Sequence, residues 1–299
     1  MRADRRVGRC GRRPLAGRSA PGGAHLRGSD RRLRRSTHRD HGGGPLVGRA
    51  GGRARGRHRS VERRPVIVIA VETSTPQVSV AIGTEQEIIG RIQVVGRARQ
   101  ESVTPALERL LAWTGVDLGQ IGGVAVGIGP GLFTGLRVGV ETAKTLAQVT
   151  RAMILGFTSL DALAYPVRFT SRRILAVVDA RRGEVFSSTY IAVPGGVMRD
   201  SEYTVSTPDH LAADLEALPG DVLAVGDGAI LYRDVLTEQR GGRLEIASSV
   251  FAHPDAASLV ELAAPRFLRE EHDRLFDVAP FYLRKSDAEI AWDRRTGDV

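Results

Sequence analysis

The stretch Gly127-Ile-Gly-Pro-Gly-Leu-Phe-Thr-Gly-Leu-Arg-Val-Gly-Val-Glu-Thr-Ala-Lys144 sets the reading of the whole chain. An apolar run, Val124 to Ile128, leads into it, and a helical pattern leads out to about Thr150. Strand, tight turn, helix is the building unit of α/β architectures. In the turn, glycine allows close backbone approach and Pro130 pre-sets the bend. Thr134 is placed to cap the helix with its hydroxyl. Gly135, Gly139 and Ala143 recur at spacing four, so one helix face is nearly bare backbone and some neighbour packs close to it. Backbone N–H groups ahead of a helix can cradle phosphate. The pattern Gly-x-Gly-x-x-Thr is neither a Walker motif nor a dinucleotide fingerprint, since Gly-Lys-Ser/Thr is missing. A structural turn with a close helix contact is the better reading.

Upstream, Val66 to Val71 is a continuous β-branched run and reads as a buried strand. Glu72-Thr-Ser-Thr-Pro-Gln77 is a polar turn, Val78 to Ile82 alternates as a returning strand, and Ile88 to Val95 gives a third. Val103, Leu107, Leu110, Leu111 and Thr114 then fall on one helical face ended by Gly115. A strand at Ala152 to Leu155 and a helix at Ser159 to Tyr165 follow the glycine stretch. Downstream the order repeats. Strands read at Arg173 to Val178, Glu184 to Val193 and Val197 to Val205, and a helix at Pro208 to Ala217 capped by Thr207. A strand at Asp221 to Val225 ends in Gly226-Asp-Gly228. A helix (Ala229 to Thr237), a short strand (Leu244 to Ala247) and a longer helix (Asp255 to Arg269) complete the half.

Each half therefore runs β-β-β-α-β-α-β-α. This doubled order predicts an α/β, two-lobed actin-like ATPase (ribonuclease H-like) fold. The expected division is a first lobe over 65–166, a second over 167–282, and a C-terminal tail from about 283 to 299 that packs back on the first.

Charge separates the remainder of the chain. Residues 1–64 hold 20 Arg, no Lys and 4 acids, a net of +16, while residues 65–299 hold 23 bases and 30 acids, a net of −7. The Arg/Gly-rich extension has almost no apolar periodicity and is expected to be disordered. A nucleic-acid-binding arm and a transit peptide are two readings of it. Translation from a misplaced start, with the native chain beginning near Val66, is the favoured one. Cys10 is the single cysteine, so neither a disulfide nor a thiolate metal site is available. No apolar run approaches 18 residues and no secretory core is visible; a cytoplasmic location without membrane attachment is expected.

Four stretches resemble the tRNA threonylcarbamoyladenosine biosynthesis protein TsaB family: Ala70-Val-Glu-Thr-Ser-Thr-Pro76, Gly129 to Gly139 with Ala143-Lys144, Asp179-Ala-Arg-Arg-Gly-Glu-Val-Phe186, and Pro280-Phe-Tyr-Leu-Arg284 with Asp287-Ala288. They stand in family order and cover nearly all of residues 66–290. Leu132 departs from the family's usual Ser. No His stands near Arg99-Gln100-Glu101, where the family often has one. The resemblance implies a non-catalytic scaffold that pairs with a TsaD-like catalytic subunit. That subunit transfers a threonylcarbamoyl group to the adenosine beside the tRNA anticodon. A TsaE-like ATPase engages the pair, and tRNA is met through the complex. Pairing through first-lobe helices points to Leu107, Leu111, Gly135, Leu136, Gly139 and Ala143 as the partner interface. Self-pairing in the partner's absence stays open, as does an active ATP-dependent enzyme of the same fold.

Glu72 with Thr73, and Asp179, begin the two turns that hold phosphate and metal in active members of such a fold. Carboxylates there can hold Mg²⁺ through water. Gly226 and Asp227 end a strand where open sheets bind ligands. Weak ATP or ADP binding with Mg²⁺ at these five residues is one reading. The turn after Glu72 lacks glycine, which favours a relic site, and no cofactor is firmly implied. No direct metal site is expected either: His210, His253 and His272 are widely spaced. No serine sits in a glycine elbow, so nucleophilic catalysis has no candidate. Arg137, Lys144, Arg181 and Arg182 can face RNA phosphates or be ordinary solvated charge. Arg137 sits where the helix dipole disfavours a cation, which suggests a specific partner. Trp113 lies off the apolar stripe of its helix and is either an interface anchor or buried in its own lobe.

Overall fold

A computed structural model describes residues 65–95 and 100–284 of the 299. The expectations for residues 1–64 and for the tail beyond 284 lie outside the described residues. Strands β1 (Ile67–Glu72), β2 (Gln77–Gly83) and β3 (Ile88–Val95) form an antiparallel meander. Helix α1 (Val103–Thr114) leads to β4 (Ile121–Gly129), α2 (Phe133–Thr150), β5 (Met153–Thr158) and α3 (Ser159–Ala164). The second half opens with β6 (Arg173–Arg181), β7 (Glu184–Val193), β8 (Gly196–Arg199) and β9 (Thr204–Ser206). Then come α4 (Pro208–Ala217), β10 (Val222–Val225), α5 (Asp227–Leu231), α6 (Arg233–Arg240), β11 (Leu244–Ile246) and α7 (Ala256–Leu268).

The first sheet has the order β3-β2-β1-β4-β5, with β4 parallel to both β1 and β5. The second reads β8-β7-β6-β10-β11, again antiparallel then parallel, with β9 pairing β7 off the main path. The two orders superimpose strand for strand. This is the two-lobed actin-like fold.

The central strands explain their own composition. On β1, Ile69 and Val71 join α1 and α2 in one core cluster, while Val68 and Ala70 join α7 in another. A strand covered on both faces needs apolar side chains at every position, hence the unbroken run. Strand β6 repeats this, with Ile174, Ala176 and Val178 facing α3, and Leu175 and Val177 facing α4 and α6.

Two helices pack away from their neighbours in sequence. Leu160 and Leu163 of α3 bury against β6 of the second sheet, and Leu259, Val260 and Phe267 of α7 bury against β1 and β4 of the first. Element order along the chain, the basis for lobe boundaries at 166 and 167, does not anticipate this exchange of helices.

Three local details differ from expectation. Helix α2 begins two residues early: Leu132 is its N-cap, Thr134 lies within the first turn, and no side chain caps it. The strand expected over Val197 to Val205 is broken into β8 and β9. Between them Ser201 Oγ accepts Thr189 N–H at 2.9 Å, replacing a ladder bond with a side-chain bond. The helix expected over Ala229 to Thr237 is divided into α5 and α6 at Tyr232, whose φ of −106° is not helical. The Thr207 cap and the Gly115 stop are present as read.

Candidate functional site

The glycine stretch ends β4 and starts α2, and its bare face meets the β1–β2 turn of the same chain. A Cβ on Gly135 would overlap the Thr73 carbonyl, one on Gly139 the Thr73 hydroxyl, and one on Gly131 the Ser74 carbonyl. Thr73 Oγ1 donates to the Gly135 carbonyl at 2.8 Å, and Leu132 N–H donates to the Ser74 carbonyl at 2.7 Å. The close neighbour demanded by the spacing of four is therefore residues 73–74. Glycine is required because two backbones touch.

This corrects the interface reading. Gly135, Leu136, Gly139 and Ala143 are buried within their own lobe, as is Leu107, and Leu111 is half-buried against the same core. Helical spacing gives the bare face but not the direction in which it points. The outward surface carries other residues: Trp113 is 72% exposed and Val149 70% exposed.

The residues read as a nucleotide site fall into two groups. Glu72 and Thr73 belong to the β1–β2 turn. The Glu72 carboxyl is sealed from solvent above Gly127, whose Cβ position its Oε2 would occupy. Its Oε1 accepts Ser74 N–H at 2.6 Å, and Oε2 has no hydrogen-bond partner. Burial pushes its pKa up to about 7, against the lowering effect of Ser74. A cleft of about 230 Å³ lies beside this turn, between Thr73, Thr75 and Val78 and the first turn of α2.

Asp179, Gly226 and Asp227 form the second group, at the β6–β7 turn. Gly226 has φ of +111°, and a Cβ there would strike the Val177 carbonyl. Asp227 Oδ1 accepts Asp179 N–H at 3.0 Å, and Asp179 Oδ1 accepts Arg181 N–H at 2.8 Å. Asp179 Oδ2 pairs with Arg181 at 2.9 Å, and Asp227 Oδ2 faces His253 Nδ1 at 3.8 Å. Burial raises the Asp227 pKa to about 6. Both Asp179 oxygens and Asp227 Oδ1 brace the turn, and Glu72 is turned into the core. Among the described residues no cluster of three or more His, Cys, Asp or Glu could hold a metal ion. Nor is any described helix long and apolar enough to cross a membrane.

The motif at Pro280 to Arg284 becomes intelligible only in three dimensions. Phe281 N–H donates to the Ile128 carbonyl at 2.7 Å, at the end of β4. The Phe281 ring meets Tyr203 edge-on with centroids 5.6 Å apart, and Tyr203 OH donates to Asp161 at 2.9 Å. Leu283 packs on the second lobe's core, and Arg284 pairs with Glu184 at 2.6 Å. Residues 280–284 thus strap the glycine turn to the second sheet. In the sequence this motif stands out only through the family resemblance; its local signal is two adjacent aromatics, Phe281 and Tyr282, followed by Arg284.

A family model described as "TsaD: tRNA N6-adenosine threonylcarbamoyltransferase" matches residues 93–292. The tRNA threonylcarbamoyladenosine biosynthesis protein TsaB of Escherichia coli (strain K12) is 27% identical over 233 residues, covering 77% of this chain and 98% of that protein. An uncharacterized protein of Mycobacterium tuberculosis (strain ATCC 25618 / H37Rv) is 31% identical over 227 residues, 74% of this chain and 93% of its own. Among solved structures, YeaZ from Pseudomonas aeruginosa is 27% identical with a TM-score of 0.63, covering 73% of this chain and 100% of that one.

Proposed function

The chain belongs to the TsaB family, and from that premise we propose that it is the non-catalytic subunit of a tRNA threonylcarbamoyladenosine-forming complex. Its role is to pair with a TsaD-like catalytic subunit, with a TsaE-like ATPase engaging the pair. The observation that carries the non-catalytic reading is the fate of the carboxylates. Asp179 and Asp227 are bonded to their own turn, and Glu72 is sealed over Gly127. Carboxylates that brace their own turns support a structural role for these turns over activation of a nucleophile.

Pairing uses the outward side of α1 and α2. On α2, Val149 near the helix C-terminus is 70% exposed, whereas Val138 lies beside Thr73 in the cleft at the other end of the helix. On α1, Trp113 stands 72% exposed with the Arg109 guanidinium 5.5 Å from its ring centroid. Large exposed aromatics of this kind anchor interfaces.

The test is co-purification of the full chain with the TsaD homologue of its own genome, beside ATP turnover by the chain alone. A stable pair and background turnover are expected. Trp113→Asp with Val149→Asp should abolish pairing without moving the melting temperature, since both side chains are solvated. Robust hydrolysis by the unpartnered chain would overturn the reading.

A further inference from the structure

Three segments distant in sequence meet along one exposed edge. Near the start of α2, the Arg137 guanidinium lies 3.9 Å from the Phe133 ring centroid. Phe133 stacks on Tyr282 of the C-terminal strap, with centroids 4.9 Å apart, and Arg137 Nε donates to Tyr282 OH at 3.3 Å. Two residues on, Arg284 pairs with Glu184 at 2.6 Å. Glu184 is the ladder partner of Arg181 across the β6–β7 turn. Contacts thus run unbroken from α2 through the strap to that turn.

Two properties of the ledge bear on a ligand. Its charge runs against that of its surroundings: four arginines meet two carboxylates, Asp179 and Glu184, on a chain whose residues 65–299 carry a net of −7. Moreover, Arg181 and Arg182 both lie in the left-handed region, at φ of 66° and 60°. That region carries a steric cost for every residue but glycine, and hairpin turns that use it favour Asn, Asp or Gly. The turn keeps arginine at both positions and leaves both exposed. On the strap, Tyr282 remains 42% exposed although Phe133 stacks on it.

We propose that the ledge formed by Arg137, Phe133, Tyr282, Arg284, Arg181 and Arg182 is an RNA-contact surface. The arginines of the β6–β7 turn and the strap neutralise backbone phosphates, and the Tyr282 ring offers a stacking face to an unpaired base. An open aromatic ring beside several guanidinium groups suits a single-stranded or looped nucleic acid better than an acidic protein surface, which offers no π-face to stack. The proposal rests on the reading that the assembled complex acts on tRNA.

The experiment titrates a tRNA transcript against the full chain assembled with its TsaD-like subunit, at several salt concentrations. Residues 1–64 are common to all variants, so differences report the ledge. Arg181→Glu with Arg182→Glu should weaken tRNA binding at least tenfold and flatten the salt slope by about two. Tyr282→Ala should weaken it at least fivefold, and Tyr282→Phe, which keeps the ring, should restore it. Arg181→Gln with Arg182→Gln serves if charge reversal unfolds the chain by circular dichroism. Unchanged affinity and slope in an intact complex would overturn the inference. Loss of subunit pairing with RNA affinity unchanged would also overturn it, marking the ledge as a protein interface. Failure of the unaltered chain to pair at all sinks the proposed function instead.

Discussion

Replacing Glu72 with Gln should make the protein less sensitive to pH, in a direction opposite to that of an ordinary surface carboxylate. The Glu72 carboxyl is 1% exposed, its Oε2 has no partner, and burial raises its pKa from 4.5 to about 7. Between those two pH values the folded chain keeps the proton and the unfolded chain releases it. The native state therefore binds more protons, and stability falls as pH rises through this window. Above pH 7 both states are ionised and the loss is complete. At about 1.4 kcal/mol per pH unit, the span from 4.5 to about 7 amounts to about 3 kcal/mol. The substituted amide has no proton to lose. It leaves a buried N–H where Oε2 stood, which costs about 1–3 kcal/mol at every pH. That cost cancels when the two proteins are compared at two pH values. The assay is urea unfolding of wild type and Glu72→Gln at pH 4.5 and pH 8. The stability difference should move by about 3 kcal/mol in favour of the variant on going to pH 8. Asp227 and the other titrating groups are common to both proteins and drop out of that comparison. Parallel pH profiles, or a shift favouring the wild type at pH 8, would refute the reasoning, because Glu72 would then be ionised and partnered in the fold.

The inward glycine face gives a second prediction: Gly139→Ala should lose about 1–3 kcal/mol by overpacking against Thr73. Adding Thr73→Ala should recover part of that loss, and a purely additive double-mutant cycle in chemical denaturation would refute the contact. Leu132→Ser supplies the cap that α2 lacks and should raise stability by about 1 kcal/mol, read as a higher melting temperature. Asp161 accepts from Tyr190 OH at 2.7 Å and Tyr203 OH at 2.9 Å, both reaching α3 from the second half of the chain. Asp161→Ala should cost about 1–3 kcal/mol, chiefly from the stranded Tyr190 phenol since Tyr203 OH keeps Thr158 Oγ1 at 3.1 Å, and hydrogen exchange should quicken in α3 and β7 together.

The division between what the sequence determined and what folding decided follows interaction range. The strands and most helices are legible because their cause is local: apolar runs where a strand is covered twice, apolar spacing on α1, Thr207 and Gly115 at helix ends. The doubled element order fixed the fold class, since few topologies accommodate it. Residue spacing also required a close neighbour for Gly135 and Gly139. It could not name that neighbour, because Thr73 is 62 residues away and a helix face can turn toward its own sheet or toward another chain. The same limit hid the exchange of α3 and α7, the pairing of Asp227 with Asp179 and the strap at 280–284. Each depends on which surfaces meet after the sheets form. The glycine stretch shows both sides: its composition demands contact with bare backbone, and only tertiary packing turned that contact inward and left Trp113, Val149 and the arginine ledge outside.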